Sequence, residues 1–210
     1  MMLPPVVGGW ARVLGEPIET ERRDLTHESD QRVARPIKVE SACVDVFGTT
    51  MQFLMLPEEE PGMPCIIRET IPPATVIPMH SHPDPETCFM ISGNAEGLAQ
   101  TVEGFQWIRL APHDAFHMPG RAKQAFRNHW PEPAVMIAIA PARRGRFFLE
   151  VGKPVLPTLR PASPPTPEAV RDFLETAARY GYWIATREEN FQVGIDLPAA
   201  APWPTGRRIR

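Results

Sequence analysis

Cysteine is scarce in this chain. Its three copies, Cys43, Cys65 and Cys88, stand at irregular spacing. That excludes a disulfide framework and a zinc-type cysteine pair, and it leaves small buried apolar residues in a reducing compartment as the expectation. Excess positive charge is also missing: 22 Lys and Arg face 25 Asp and Glu, for a net charge of -3. A nucleic-acid-binding face needs clustered basic residues, so that class of partner is excluded. No apolar run approaches the length of a membrane span. The opening MMLPPVVGGWARVLGEP lacks the basic start and continuous apolar core of a secretory signal. A cytoplasmic protein without a membrane partner is the resulting expectation. Long helical periodicities are few, and 26 prolines account for that, because each removes a backbone donor and fixes a turn or an edge.

What is present reads as β-structure. The 210 residues suffice for one ample core with peripheral segments. Residues 1–40 are polar and weakly periodic, and form an arm that is extended or laid on a partner. From Ser41 onward, short β-branched and aromatic runs alternate with Pro and Gly. They predict strands at 42–47, 50–56, 64–70, 74–80, 87–92, 96–102, 105–110, 114–118, 124–128, 134–140 and 146–151. Glu103-Gly104 reads as a hairpin turn. Many short antiparallel strands make an all-β sandwich or small barrel over residues 41–152. Residues 153–210 begin with a proline-rich connector. Thr166-Pro167 then opens a helix whose stripe of Val170, Phe173, Leu174, Ala177 and Ala178 packs on the barrel, with Gly181 ending it.

The stretch IPMHSHPDPETCFMISG, residues 77–93, holds the candidate chemistry. Residues two apart on a strand share a face, so His80 and His82 project together. A turn at Pro83-Asp84-Pro85 returns the chain, and Glu86 opens the next strand beside them. Two imidazoles and a carboxylate are three ligands for a first-row divalent metal: Fe, Ni, Mn, Cu or Zn. The same cluster on a surface would be a mere hydrogen-bonded group.

The spacing H-x-H, three residues, E, six residues, G resembles the first motif of the cupin superfamily, G-x5-H-x-H-x3,4-E-x6-G. Ala74 stands where that motif has its leading glycine. The second motif runs G-(D)-x4-P-x-G-x2-H-x3-N, and residues 113–128 read HDAFHMPGRAKQAFRN. Asp114, Pro119 and Asn128 fall in place; His113 replaces the first glycine, and Gln124 occupies the position of the fourth metal ligand, a histidine. The tail is similar to that of small bacterial cupins described as quercetin-2,3-dioxygenase-like. The resemblance implies a cupin-type β-barrel (a double-stranded β-helix or jelly roll) with an N-terminal arm and one C-terminal helix, and with one site at its mouth.

Gln124 leaves three readings open. The metal is held by His80, His82 and Glu86, with Gln124 as a weak fourth ligand or a hydrogen-bonder. Alternatively His113 or His117 substitutes. Or the metal is lost and the pocket binds by hydrogen bonds alone. Cys88, Met90, His117 and Phe126 are candidate pocket walls, and Met51, Met55 and Met79 candidate core. Phe105 and Trp107 are expected on the outer face at a homodimer contact, since cupin-like proteins commonly pair. The enzyme reading that the resemblance implies is a metal-dependent, dioxygenase-like activity on a small oxygenated, flavonol-like compound. Glu86 would be a ligand, or the catalytic base if it leaves the metal. The rival is a non-catalytic binding or sensing cupin, and a sugar-type isomerase or epimerase is the third.

Overall fold

The computed structural model describes residues 42–57, 62–155, 165–197 and 203–204. The arm at residues 1–40, most of the proline-rich connector and the end of the tail therefore lie outside the described residues. Ten strands run in chain order: β1 (Cys43–Val46), β2 (Thr49–Met55), β3 (Cys65–Ile71), β4 (Thr75–Ser81), β5 (Glu86–Ser92), β6 (Ala95–Thr101), β7 (Gly104–Leu110), β8 (Ala115–Met118), β9 (Gln124–Asn128) and β10 (Ala134–Ala140). There follow α1 (Ala142–Val151), β11 (Lys153–Pro154), α2 (Pro167–Arg179), β12 (Trp183–Ile184) and α3 (Arg187–Gln192). One antiparallel sheet has the order β11-β1-β2-β3-β10-β5-β8, and the other β12-β4-β9-β6-β7. This is the jelly-roll barrel expected from the sequence.

The strands form where the apolar residues alternate. In β2, Thr49, Met51, Phe53 and Met55 are buried while the residues between them are not. In β3, Cys65, Ile67, Glu69 and Ile71 take the inward positions. Phe53, Ile67, Ile71, Met90, Met118, Phe126 and Met136 join in one core, and full burial of each such side chain contributes about 1.5–3 kcal/mol. Met51, Met55 and Met79 are buried as expected.

Three expectations need correction. The last predicted strand, 146–151, is the second half of α1. Arg144, Gly145, Phe147 and Phe148 are its buried residues, a helical i, i+3, i+4 face instead of a strand alternation. The C-terminal part thus holds more than one helix. Second, the hairpin turn falls on Val102-Glu103, with Gly104 at φ +118 opening β7. Third, Phe105 and Trp107 are half-buried by this chain's own residues: they pack against the cluster that includes Ile195 and Leu197 of the tail, and Trp107 Nε1 donates to the Val193 carbonyl at 2.8 Å.

Of the expected stripe of α2 only Val170 and Ala177 are buried, Phe173 and Leu174 are half-buried, and Ala178 is exposed. The ends of α2 are as read. Thr166 caps it by accepting from the Ala169 N–H, Pro167 is its first residue, and Gly181 follows at φ +73. Its Phe173 meets Phe47 and Phe147 at ring distances of 5.1 and 5.8 Å.

Candidate functional site

The histidine stretch spans the end of β4, a turn and the start of β5. His80 lies opposite Gln124 of β9, so the antiparallel pairing alone brings the predicted first and fourth positions together. His82 lies just past β4, and the turn after it is pinned from several sides. Arg143 Nη1 donates to Asp84 Oδ2 at 2.8 Å. The Arg121 N–H donates to the His82 carbonyl at 2.6 Å. Gly120 sits so close to the Pro83 carbonyl that a Cβ would overlap it.

Each imidazole is oriented by its own backbone. His80 Nδ1 contacts the Pro78 carbonyl at 2.8 Å, and His82 Nδ1 contacts the Asp84 carbonyl at 2.7 Å. A carbonyl can only accept, so Nδ1 carries the proton and Nε2 keeps its lone pair, which on His82 accepts from the Gln124 amide. His82 Nε2 lies 3.3 Å from Glu86 Oε2 and 2.6 Å from Gln124 Nε2. The two rings are 5.8 Å apart, and the Tyr182 ring lies beside both, at 6.5 Å from His80 and 5.3 Å from His82. Tyr182 is delivered by β12, which pairs with His80 and Ser81 at the edge of β4.

Sequence reasoning missed Arg144. It is 6% exposed, and its Nη2 lies 3.2 Å from Glu86 Oε2. Nη1 donates to the Tyr182 hydroxyl. Its guanidinium stacks over Phe148 at 4.1 Å, a favourable cation–π contact. The only signal was its spacing of three and four residues from Phe147 and Phe148 on one helix. Glu69 was missed as well: it is 6% exposed on the inner face of β3.

These groups, except His82, which is buried behind the wall, line one cavity of about 100 Å³. Its polar lining includes His80, Glu69, Glu86, Gln124 and Arg144; Phe47, Phe147, Phe148 and Phe173 belong to its apolar wall. Cys88 and Phe126 line it as expected. Met90 does not; it is packed in the core. His117 faces the other side of the sheet, where its Nδ1 pairs with Thr87 Oγ1 at 2.9 Å on an exposed surface. His113 is exposed at φ +78. Neither histidine replaces the missing ligand.

Burial sets the charge states. Burial first, then His82 and Arg144, pushes His80 down to about 3, so it is neutral at ordinary pH. For Glu86 burial acts upward, but the Arg144 charge and His82 outweigh it and hold the carboxyl down to about 2. Burial, with Glu86 adding to it, pushes Glu69 up to about 8. Burial also raises the Cys88 thiol well above its ordinary value, so the cavity holds no reactive thiolate.

Whether a divalent metal suits this cavity is decided by its donors. Glu86 Oε1 and Gln124 Oε1 are buried without a hydrogen-bond partner. With the two Nε2 lone pairs they form an acceptor set that a cation satisfies. A half-turn of the Gln124 amide would turn its oxygen toward His82. The donor chemistry fits. Among the described residues, however, no three His, Cys, Asp or Glu side chains close on one point as they stand.

Residues 67–140 match the model of the cupin domain. No curated protein matches the chain. Among solved structures, the CENP-C cupin domain of Drosophila melanogaster is 16% identical with a TM-score of 0.42, over 48% of this chain and 70% of that one. The Cupin_2 domain of an XRE family transcriptional regulator from Enterobacter cloacae is 19% identical, TM-score 0.37, over 45% and 96%. An oxalate decarboxylase from Lactobacillus farciminis, in a formate complex, is 16% identical, TM-score 0.43, over 49% and 30%. None of these assigns chemistry to this chain. No helix among the described residues is long and apolar enough to cross a membrane. The two sheets form a jelly-roll barrel, and its segment at residues 67–140 is the part that matches the cupin-domain model.

Proposed function

We propose that this protein is a metal-dependent cupin acting on a compact, oxygenated small molecule. His80, His82 and Glu86 would hold a divalent transition metal, with Gln124 as the fourth ligand. One observation carries the reading. Among the described residues, the buried side-chain polar atoms without a partner are Glu69 Oε1, Glu86 Oε1, Gln124 Oε1 and Arg144 Nε, and all four residues line the same cavity. Three of the four atoms are acceptors. Leaving such groups unpaired costs about 1–3 kcal/mol each, which is recovered only when something enters.

A bound metal would supply Lewis acidity and a template for substrate oxygen. The chain's own residues do the rest. Arg144 keeps Glu86 ionised, so Glu86 serves as an anionic ligand and, if it leaves the metal, as a base. The orienting carbonyls of Pro78 and Asp84 fix the imidazole tautomers. Tyr182 and the phenylalanine wall exclude water. Two imidazoles and one carboxylate with open positions also suit oxygen chemistry, which supports a dioxygenase-like reaction. The space of about 100 Å³ favours a substrate of one ring or less over a flavonol, which carries three rings.

A second reading has its own support. The guanidinium of Arg144 already neutralises Glu86, as a metal would, and this favours a metal-free binding or sensing cupin. Elemental analysis of chain purified without chelator or histidine tag decides between them. The metal reading expects about one equivalent per chain, lost in the H80A/H82A double variant, and tighter binding in Q124H. Absence of metal after incubation with each ion, and melting unaffected by chelator, would leave the metal-free reading.

A further inference from the structure

Glu69 has no place in the metal set. It occupies an inward position of β3 between Ile67 and Ile71. Across the sheet it faces Met51 of β2 and Met136 of β10, both buried. Such a position calls for an apolar side chain. Glu69 is nevertheless 6% exposed, and its Oε1 has no hydrogen-bond partner. A buried carboxyl oxygen without a partner destabilises the fold, so the fold does not account for this residue. It does line the cavity that holds His80, Glu86 and Gln124.

We infer that Glu69 is a ligand-recognition residue, hydrogen-bonding a hydroxyl group on a compact, otherwise apolar molecule that fills the cavity. The inference rests on the reading above only in taking the cavity as a small-molecule site; it needs no metal. A hydroxyl fits better than an ammonium, because the cavity is walled largely by apolar side chains and a neutral group costs far less to desolvate there than a charged one. The apolar walls, with Phe47, Phe147, Phe148 and Phe173, suit a hydrocarbon body.

The test compares phenol with benzene as probes, on the full chain in excess chelator, by calorimetry or ligand-observed NMR. Wild type is expected to bind phenol about tenfold tighter than benzene, the worth of one hydrogen bond made to an otherwise unpaired group. E69L should bring that ratio to about one while raising the melting midpoint. E69Q, which keeps volume and polarity, should retain most of the preference. A preference that survives in E69L overturns the inference. So does a wild type that prefers neither probe or binds neither, or an E69L variant that melts lower. A larger Glu69-dependent gain for benzylamine than for phenol overturns the hydroxyl assignment. Because the measurement is made in chelator, loss of the metal reading leaves the phenol ratio standing, and an absent ratio leaves the metal content untouched.

Discussion

Replacing Arg144 by Met tests the electrostatic account of the cavity most directly. Met fills much of the same space and removes the one charge that neutralises Glu86. Both partners are nearly inaccessible, at 6% and 4% exposure. Removing one partner of a buried ion pair costs about 3–5 kcal/mol, because the remaining charge is left uncompensated. For a chain of this size that lowers the melting midpoint by roughly 6–20 °C. The pH dependence is the sharper signature. In wild type Glu86 is held at about 2, below its ordinary 4.5. It therefore contributes stability above pH 4.5 that is lost as pH falls toward 2. In R144M only His82 is left to oppose burial, and the folded value rises above the unfolded one. The folded state then binds the extra proton, and stability present below the unfolded value is lost as pH rises from it through the folded one. Glu69 loses the same cation and moves in the same direction. Urea unfolding of both proteins in chelator, from pH 5 to pH 8, should show a difference that widens with pH. A loss below about 1 kcal/mol, or a difference flat across that range, would refute the pairing.

Ala74, His113 and Arg121 hold φ of +55, +78 and +67, and each stands where a cupin motif has glycine. A74G, H113G and R121G should each stabilise the chain by about 0.5–1 kcal/mol in denaturant titrations; a glycine variant that destabilises would show that side-chain contacts outweigh the strain. Gly93 is at φ +72 with the Pro133 carbonyl against its α-carbon, so G93A should cost at least about 2 kcal/mol by the same assay, and a neutral G93A would remove that role.

How much of this was legible depended on whether the signal was local. The strands were, because Thr49 to Met55 and Cys65 to Ile71 alternate with a period of two. The histidine pair and Gln124 were, because spacing along the chain and one antiparallel pairing place them. Phe147, Phe148, Leu149 and Val151 were not, since so short an apolar run fits a strand or a helix. Arg144 was not legible, since an arginine is usually solvated, and only its helical spacing from Phe147 marks it as buried. Glu69 did carry a local signal, sharing parity with Cys65, Ile67 and Ile71. Tyr182 carried none, because it reaches the histidines only through the pairing of β12 with β4. The substitutions at motif glycines were visible, but the spacing does not say why glycine belongs there; at Ala74 the backbone, at φ +55, shows that the constraint is handedness.

The two side chains that give the cavity its charge and its cover, Arg144 and Tyr182, both follow the last strand of the barrel. Two chains that agreed at every position from Cys65 to Ala140 would still differ in selectivity if these appended pieces differed. Change in α1 or β12 alters what the mouth admits without breaking a ladder hydrogen bond of the central strands. The tail is thus an adjustable rim on a rigid vessel. The vessel presents the polar groups, and the rim decides which molecules reach them.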